Sequence, residues 1–79
     1  MVTLRLFAAA RQAAGTGRDQ VAGATVGAVL DEAARRYGPG FPAVLAECRI
    51  WVNGEPATRE TSVSEGDEVA VLPPVSGGA

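Results

Sequence analysis

The first residues of the chain alternate between apolar and polar side chains. They read M-V-T-L-R-L-F-A, with an aliphatic residue at every second position from Val2 to Leu6. This spacing is typical of a β-strand that buries one face. Phe7 falls on the otherwise polar side, so we expect the second face to be more than a solvated surface. Glu68 to Leu72 is another β-prone run, and we expect the two strands to be neighbours at the centre of a sheet.

The longest periodic segment follows Thr25 and has the spacing of an α-helix. Its apolar positions recur three and four residues apart: Val26, Val29, Leu30, Ala33, Ala34 and Tyr37. One continuous apolar stripe predicts a helix that lies on the sheet, with Thr25 as its N-cap and Gly38-Pro39 at its end. Two ion pairs four residues apart are expected on its exposed side, Asp31 with Arg35 and Glu32 with Arg36.

Shorter segments complete the predicted fold. One or two helical turns are expected at 8–14 and 41–47, and further strands at 18–22 and 49–53, the last ending in the tight-turn dipeptide Asn53-Gly54. A sheet with one long amphipathic helix across one face satisfies the burial of both elements. The predicted fold class is therefore α+β, a mixed-sheet β-grasp, with a domain over residues 1–73 and a flexible tail over residues 74–79.

The composition supports one small globular domain and argues against several classes of protein. The chain has 79 residues, of which 47% are hydrophobic and 20% charged, and this suits one core rather than a disordered chain. A net charge of −2 argues against nucleic-acid binding, which normally needs a basic face. No apolar run approaches the roughly 20 residues of a membrane span, and no targeting segment is visible. We expect a cytoplasmic protein with no nucleic-acid or membrane partner.

The folded part of the chain offers little catalytic equipment. It has no histidine and no lysine, which removes the commonest general base, Schiff-base chemistry and histidine-ligated metal sites. Cys48 is the single cysteine and has no histidine to activate it, so it is interpreted as a small residue at the start of a strand. We expect no metal site, and whether the chain acts as an enzyme stays open.

Trp51 is a candidate for contact with another protein. It alternates with Ile50 and Val52, so it is expected on the uncovered face of the sheet. There it either anchors a partner or packs under a loop.

The C-terminal tail is the segment that points to chemistry. Pro73-Pro74 favours an extended exit from the sheet, and Gly77-Gly78 follows it. Because glycine lacks a Cβ atom, a diglycine thread can enter a channel too narrow for any other residue. It also leaves a carbonyl open to attack from either side. The alternative interpretation is an ordinary frayed terminus.

Four motifs together carry a family resemblance. They are Leu6-Phe7-Ala8 followed by Arg11 and Gly15, Val52-Asn53-Gly54, Gly66-Asp67-Glu68-Val69, and the tail Pro73-Pro74-Val75-Ser76-Gly77-Gly78. With these motifs almost the whole chain resembles the MoaD family, the ubiquitin-like small subunit of molybdopterin synthase. More broadly, it resembles the MoaD/ThiS sulfur carriers. The tail is more similar to that of MoaD than to those of the thiamin-pathway carriers.

The resemblance implies a sulfur carrier for molybdenum cofactor biosynthesis. A MoeB-like adenylyltransferase, related to ubiquitin-activating enzymes, would use ATP to adenylate a terminal glycine, and a sulfur donor would convert it to a thiocarboxylate. The tail would then enter a MoaE-like large subunit. Carried over to this chain, Gly78 is the acyl site and Gly77 its slender neighbour. The residues expected to aim the tail or contact partners are Phe7, Trp51, Leu72, Pro73, Pro74 and Val75. ATP belongs to the activating enzyme, so the carrier itself is expected to bind no cofactor.

The last residue departs from the family pattern. The family reacts at a C-terminal glycine, whereas Ala79 follows Gly78 in this sequence. Three explanations compete. In the first, a peptidase, such as a metallopeptidase, removes Ala79. In the second, Ala79 is not part of the natural chain, and in the third the protein is a β-grasp interaction module that carries no sulfur. We favour removal. Trimmed carriers make sulfur delivery to cysteine, homocysteine or another metabolite the alternative function.

Overall fold

The alternating runs near the two ends of the chain form the two central strands of a five-stranded sheet. The computed structural model describes residues 1–74. Its elements are β1 (Val2–Leu6), α1 (Ala8–Ala14), β2 (Arg18–Val21), α2 (Val26–Tyr37), α3 (Phe41–Leu45), β3 (Arg49–Val52), β4 (Glu55–Pro56) and β5 (Glu68–Leu72). The strand order is β2-β1-β5-β3-β4. β1 and β5 run parallel and the other neighbours run antiparallel, which confirms the predicted mixed sheet.

The helices cover one face of the sheet, and the core lies between the sheet and the helices. β1 contributes Val2, Leu4 and Leu6 to this core, and β5 contributes Val69 and Val71, all of them at most 2% exposed. Four residues of the predicted α2 stripe, Val26, Val29, Leu30 and Ala33, are buried in the same core, and Ala34 and Tyr37 pack against it partly buried. Phe41 of α3 is fully buried as well. The period-two and helical patterns therefore point at the same core, as a stable α+β layer requires.

The ends of α2 follow the prediction, but its ion pairs only in part. The Thr25 hydroxyl accepts a hydrogen bond from the Ala28 N–H at 3.1 Å, and Gly38 ends the helix at φ 96°. Asp31 pairs with Arg59 of the loop before β5, and Arg35 pairs with Glu32, both at 2.6 Å. The expected Asp31–Arg35 pair was therefore wrong, because a residue distant in sequence reaches Asp31. The expected Glu32–Arg36 pair is present at 3.8 Å.

The C-terminal end of α2 is tied to β2 by a polar cluster. The Tyr37 hydroxyl donates to the Asp19 carboxylate at 2.6 Å, and Arg36 donates to the same carboxylate at 3.0 Å. The hydrogen bond from Tyr37 is the main reason that the pKa of Asp19 lies below its ordinary value, helped by the Gln20 N–H and Arg36. Burial, and then the same hydrogen bond, raise the pKa of Tyr37. This cluster fixes the long helix against an edge strand.

The chain turns sharply between β1 and α1. Phe7 is still extended, at φ −127° and ψ 155°, whereas Ala8 has φ 52°. A left-handed conformation is unfavourable for a residue with a Cβ atom. At the other end of α1, Gly15 adopts φ 79°, which glycine accepts without strain. The chain changes direction at Ala8 and begins α1 there. This turn lies next to the end of β5, because the Phe7 N–H bonds to the Val71 carbonyl.

Candidate functional site

The face of the sheet opposite the helices holds three of the residues that the sequence predicted for partner contact. We call it the open face. Strand register places the following residues on it: Thr3, Arg5, Arg18, Gln20, Arg49, Trp51, Pro56, Glu68, Ala70 and Leu72. Phe7 extends β1 by one residue, since its N–H donates to the Val71 carbonyl at 3.2 Å. Its side chain follows Leu6 of the core and so points to the open face.

These three residues, Phe7, Trp51 and Leu72, surround a shallow depression in the open face. Phe7, Trp51 and Leu72 are all partly buried, and together with Ala70 they line a cavity of about 280 Å³. Trp51 lies opposite Ala70 across the β3–β5 pair. Arg5 lies opposite Ala70 on the other side. The small residue therefore forms the floor, and its larger neighbours form the walls.

An arginine forms the most polar wall of the depression. Arg5 Nη1 donates to Glu68 Oε2 at 2.9 Å, and both side chains are close to half exposed, at 41% and 44%. The Arg5 guanidinium also lies over the Phe7 ring, 5.5 Å from its centroid. An exposed ion pair adds little stability, about 0–1 kcal/mol. The two contacts hold the Arg5 side chain between Glu68 and Phe7 on the open face, where it can meet a partner.

The Val52-Asn53-Gly54 and Gly66-Asp67-Glu68 motifs meet at the far end of the depression. The Asn53 side chain donates to the Asp67 carboxylate at 3.1 Å and accepts from the Glu68 N–H at 2.9 Å. Asp67 also accepts from the Ser64 N–H. This bond, followed by the one from Asn53, lowers the pKa of Asp67. The two motifs thus have a structural role, since they clamp the β3–β4 turn to the start of β5.

The tail leaves the sheet from its middle. β5 lies between β1 and β3 and ends at Leu72, next to Phe7 on one side and opposite Arg49 on the other. Pro73 and Pro74 follow as exposed residues. The tail therefore begins at one edge of the open-face depression. The division of the chain at residue 73 stays a prediction, and the predicted site residues Val75, Gly77, Gly78 and Ala79 lie outside the described residues.

A second groove borders the start of the tail on the helical side. It has a volume of about 280 Å³ and is lined by Ala8, Ala9, Ala43, Val44, Glu47, Cys48, Pro73 and Pro74. The Cys48 thiol donates to the Val44 carbonyl at 3.3 Å. Burial, and then the neighbouring Glu47, raise the pKa of this thiol. A raised pKa keeps the thiol protonated at neutral pH, so its environment does not activate it as a nucleophile.

Sequence reasoning missed two of the residues that shape the site. Arg5 was assigned to the polar side of β1, and Ala70 was treated only as part of the last strand. The signal for both was the register of the sheet, because these residues share one cross-strand row with Trp51. Within residues 1–74, no group of His, Cys, Asp and Glu side chains could hold a metal ion. None of the helices described is long and apolar enough to cross a membrane.

Comparison with known proteins gives a family and several similar structures. The model of the ThiS family matches residues 4–78. None of the curated proteins compared with the chain matches it. SAMP1 from Haloferax volcanii is 33% identical, with a TM-score of 0.74 and 98% of both chains covered.

Two further similar structures carry other names. A putative molybdopterin converting factor subunit 1 from Pyrococcus furiosus is 29% identical, with a TM-score of 0.83 and coverage of 94% of this chain and 97% of that one. A chain of the Amycolatopsis orientalis BexX/CysO complex is 25% identical, with a TM-score of 0.82 and coverage of 99% and 100%. The similar proteins thus share one fold and differ in the roles that their names suggest.

Proposed function

The chain belongs to the ThiS family of ubiquitin-like β-grasp proteins, and from this premise we propose that it carries sulfur as a thiocarboxylate on Gly78 for molybdenum cofactor biosynthesis. In this proposal it is the small subunit of a cytoplasmic molybdopterin synthase. The chain becomes active after Ala79 is removed. Its own residues supply the end group and the docking surface, and its partners supply the catalysts.

The position of the tail carries this proposal. Pro73-Pro74-Val75-Ser76-Gly77-Gly78 follows directly on the central strand β5. The match to the family model extends through Gly78 and does not include Ala79, which agrees with Gly78 as the reactive residue. The similarity to a molybdopterin converting factor subunit over 94% of this chain supports the molybdenum pathway.

The chemistry requires an activated carboxylate, because a carboxylate is a poor electrophile. The Gly78 carboxylate attacks the α-phosphate of ATP in a MoeB-like activating enzyme, and pyrophosphate leaves. A sulfur donor then attacks the acyl carbon, AMP leaves, and one oxygen is replaced by sulfur. Gly77 and Gly78 add no side chain that would block either step. Pro73 and Pro74 each fix one backbone dihedral where the tail begins, which limits the conformations open to the chain there.

Docking uses the open face together with the tail. Phe7, Trp51 and Leu72 lie beside the point where the tail begins. A partner that binds them is therefore in place to receive the chain from Pro73 onward. This applies to the activating enzyme and to a MoaE-like large subunit, because both must reach the same end group.

A trimmed carrier for another pathway is the second candidate. Ala79 after Gly78 favours it. The Gly78 carboxyl group is held in a peptide bond to Ala79, so a peptidase, such as a metallopeptidase, must cut that bond before the carrier can be activated. The similarity to a chain of the BexX/CysO complex supports it as well. In this case the sulfur is delivered to cysteine, homocysteine or another metabolite.

Intact mass measurement tests the proposal. The chain is expressed in three forms, ending at Ala79, at Gly78 and at Ser76, with the activating enzyme of the same organism, ATP and sulfide. We expect the form ending at Gly78 to exchange one oxygen for sulfur and the form ending at Ser76 to stay unchanged. An unchanged mass of the Gly78 form would contradict the proposal and leave a β-grasp interaction module.

Two further observations separate the pathways and test the processing step. Dithiolene formation on the pterin precursor after addition of a MoaE-like subunit supports the molybdenum pathway, whereas transfer to an amino-acid acceptor supports the alternative. Conversion of the Ala79 form after addition of a metallopeptidase from the same organism supports trimming. Because all elements of the described fold lie within residues 1–72, the three forms should have the same unfolding free energy.

A further inference from the structure

We propose that the depression over Ala70 is a socket for one apolar side chain, presented by a partner surface that carries carboxylates around it. The inference rests on the proposed function, since it describes how the carrier recognises the activating enzyme. It adds a specificity-determining residue, Ala70, and a charge requirement that the family match does not contain.

The socket exists because the side chain on its floor is small. In the cross-strand row Arg18, Arg5, Ala70, Trp51 and Pro56, Ala70 has the shortest side chain and occupies the middle position. Along β5 its neighbours on the open face are Glu68 and Leu72. A longer side chain at position 70 would fill the volume between these walls. Ala70 is therefore the residue that keeps the socket open.

The dimensions and lining of the socket suit a side chain. Its volume of about 280 Å³ lies just below the range of about 300–1,000 Å³ typical of small-molecule sites. Three of its walls are apolar or aromatic, namely Phe7, Trp51 and Leu72. An aliphatic or aromatic side chain that enters such a pocket is the usual energetic anchor of a protein interface.

The charges around the socket indicate what surrounds that anchor. Arg5, Arg18 and Arg49 lie on the open face, whereas Glu68 is the acidic strand residue there. Glu68 pairs with Arg5, and within residues 1–74 neither Arg18 nor Arg49 makes an ion pair. The chain as a whole has a net charge of −2, so this face is basic on an acidic protein. Charge complementarity therefore favours carboxylates on the partner.

The test measures how well the activating enzyme recognises variants of the form ending at Gly78. ATP–pyrophosphate exchange gives KM for the carrier and kcat separately. Ala70→Leu fills the socket, and Ala28→Leu makes the same change at an exposed position of α2. Arg18→Glu reverses a charge on the open face. Arg35→Glu reverses one on α2, and thermal unfolding of every variant verifies that it is folded.

We expect Ala70→Leu to raise KM about tenfold or more with little change in kcat. Arg18→Glu should raise KM severalfold and weaken its dependence on salt. Neither α2 variant should change KM by more than about twofold, the scale expected of a surface position away from an interface.

The outcomes separate this inference from the proposed function. If the unsubstituted carrier supports no exchange, the proposed function fails and the socket fails with it. If exchange proceeds and Ala70→Leu matches Ala28→Leu in KM, the carrier function stands and the socket is overturned. If only the Arg18→Glu result fails, the acidic character of the partner is overturned and the apolar anchor remains.

Discussion

The two faces of the sheet come from the same strands but have different surroundings. β1 sends Val2, Leu4 and Leu6 to the face under the helices, where they are at most 2% exposed. Its intervening residues go to the open face, where Phe7 and Arg5 border a depression. Trp51, the single tryptophan of the chain, also lies on the open face. The largest aromatic side chain is thus left outside the core.

This difference indicates how a small domain divides stability from recognition. A core residue is useful when it is fully covered, because burial of apolar area stabilises the fold. A recognition residue must remain partly exposed, so that a partner gains by covering it. The alternation of a strand separates the two tasks by one residue. Each of the following predictions tests that separation, from the largest expected effect to the smallest.

The strongest test compares the same truncation on the two faces. Leu30→Ala, at a residue that is 2% exposed, should lower the free energy of unfolding by about 2–5 kcal/mol. Leu72→Ala on the open face should cost about 1 kcal/mol, because Leu72 is only partly buried. Urea denaturation followed by circular dichroism measures both. Equal losses would show that the open face belongs to the core after all.

Asn53 tests the clamp that joins the β3–β4 turn to the start of β5 at the end of the open-face depression. Asn53→Gly keeps the backbone at φ 51° available without strain but removes the bonds to Asp67 and Glu68. We expect a loss of about 1–2 kcal/mol in unfolding free energy. Asn53→Ala should lose about 1 kcal/mol more, because alanine is strained at positive φ. An Asn53→Gly variant as stable as the unsubstituted chain would contradict the clamp.

Tyr37→Phe tests the polar cluster at the rim of the covered face. The variant loses the 2.6 Å hydrogen bond to Asp19 and should lower the unfolding free energy by about 1 kcal/mol at pH 7. The pKa of Asp19 is lowered in the folded state from its ordinary 3.8. Its contribution is therefore present above pH 3.8 and is lost as the pH falls through the lower folded value.

The acid side of the stability profile therefore distinguishes the variant from the unsubstituted chain. Without the Tyr37 hydroxyl, the pKa of Asp19 moves back toward its ordinary value, so less stability is lost on acidification. The difference between the two proteins should shrink as the pH falls below about 4. Thermal unfolding between pH 6 and pH 2 measures it, and a difference that stays constant with pH would exclude Asp19 as the partner.

The smallest effect is expected at Ala8, where the chain passes from β1 into α1. Ala8 has φ 52°, so Ala8→Gly relieves strain of about 1–2 kcal/mol and adds about 0.5–1 kcal/mol of unfolded-state entropy. The net result should be a gain of about 0–1.5 kcal/mol in unfolding free energy, with a middle value below about 1 kcal/mol. Ala9→Gly in the same helix is the control, with an expected loss of about 0.5–1 kcal/mol. A loss in both variants would contradict the strain at Ala8.

Local patterns predicted most of the fold. The alternation around Leu4 fits a strand with one buried face, and the stripe around Leu30 fits a helix with one buried side. Both elements and their buried faces could therefore be predicted. The cap at Thr25 was also confirmed. The Asp31–Arg35 pair was wrong because Arg59, 28 residues later, reaches Asp31. Pairing between distant residues leaves no local signal in a single sequence.

The candidate site shows the same limit. Phe7 and Trp51 could be named because large aromatic residues on the uncovered side of a strand are unusual, whereas Leu72 was named from the family resemblance. Ala70 could not, since a small residue has meaning only relative to what surrounds it. Arg18 is 52 residues from Ala70 in the sequence, and the sheet places both in one row.

The amino-acid sequence by itself determined the strands, the long helix, the buried face of each and the diglycine tail, because these depend on the order and period of neighbouring residues. Only the tertiary structure decided the register that pairs β1 with β5, the position of the end of β5 beside Phe7, and the place of Ala70 at the floor of a socket on a basic face. These features depend on strand register, and register joins residues that the chain itself keeps far apart.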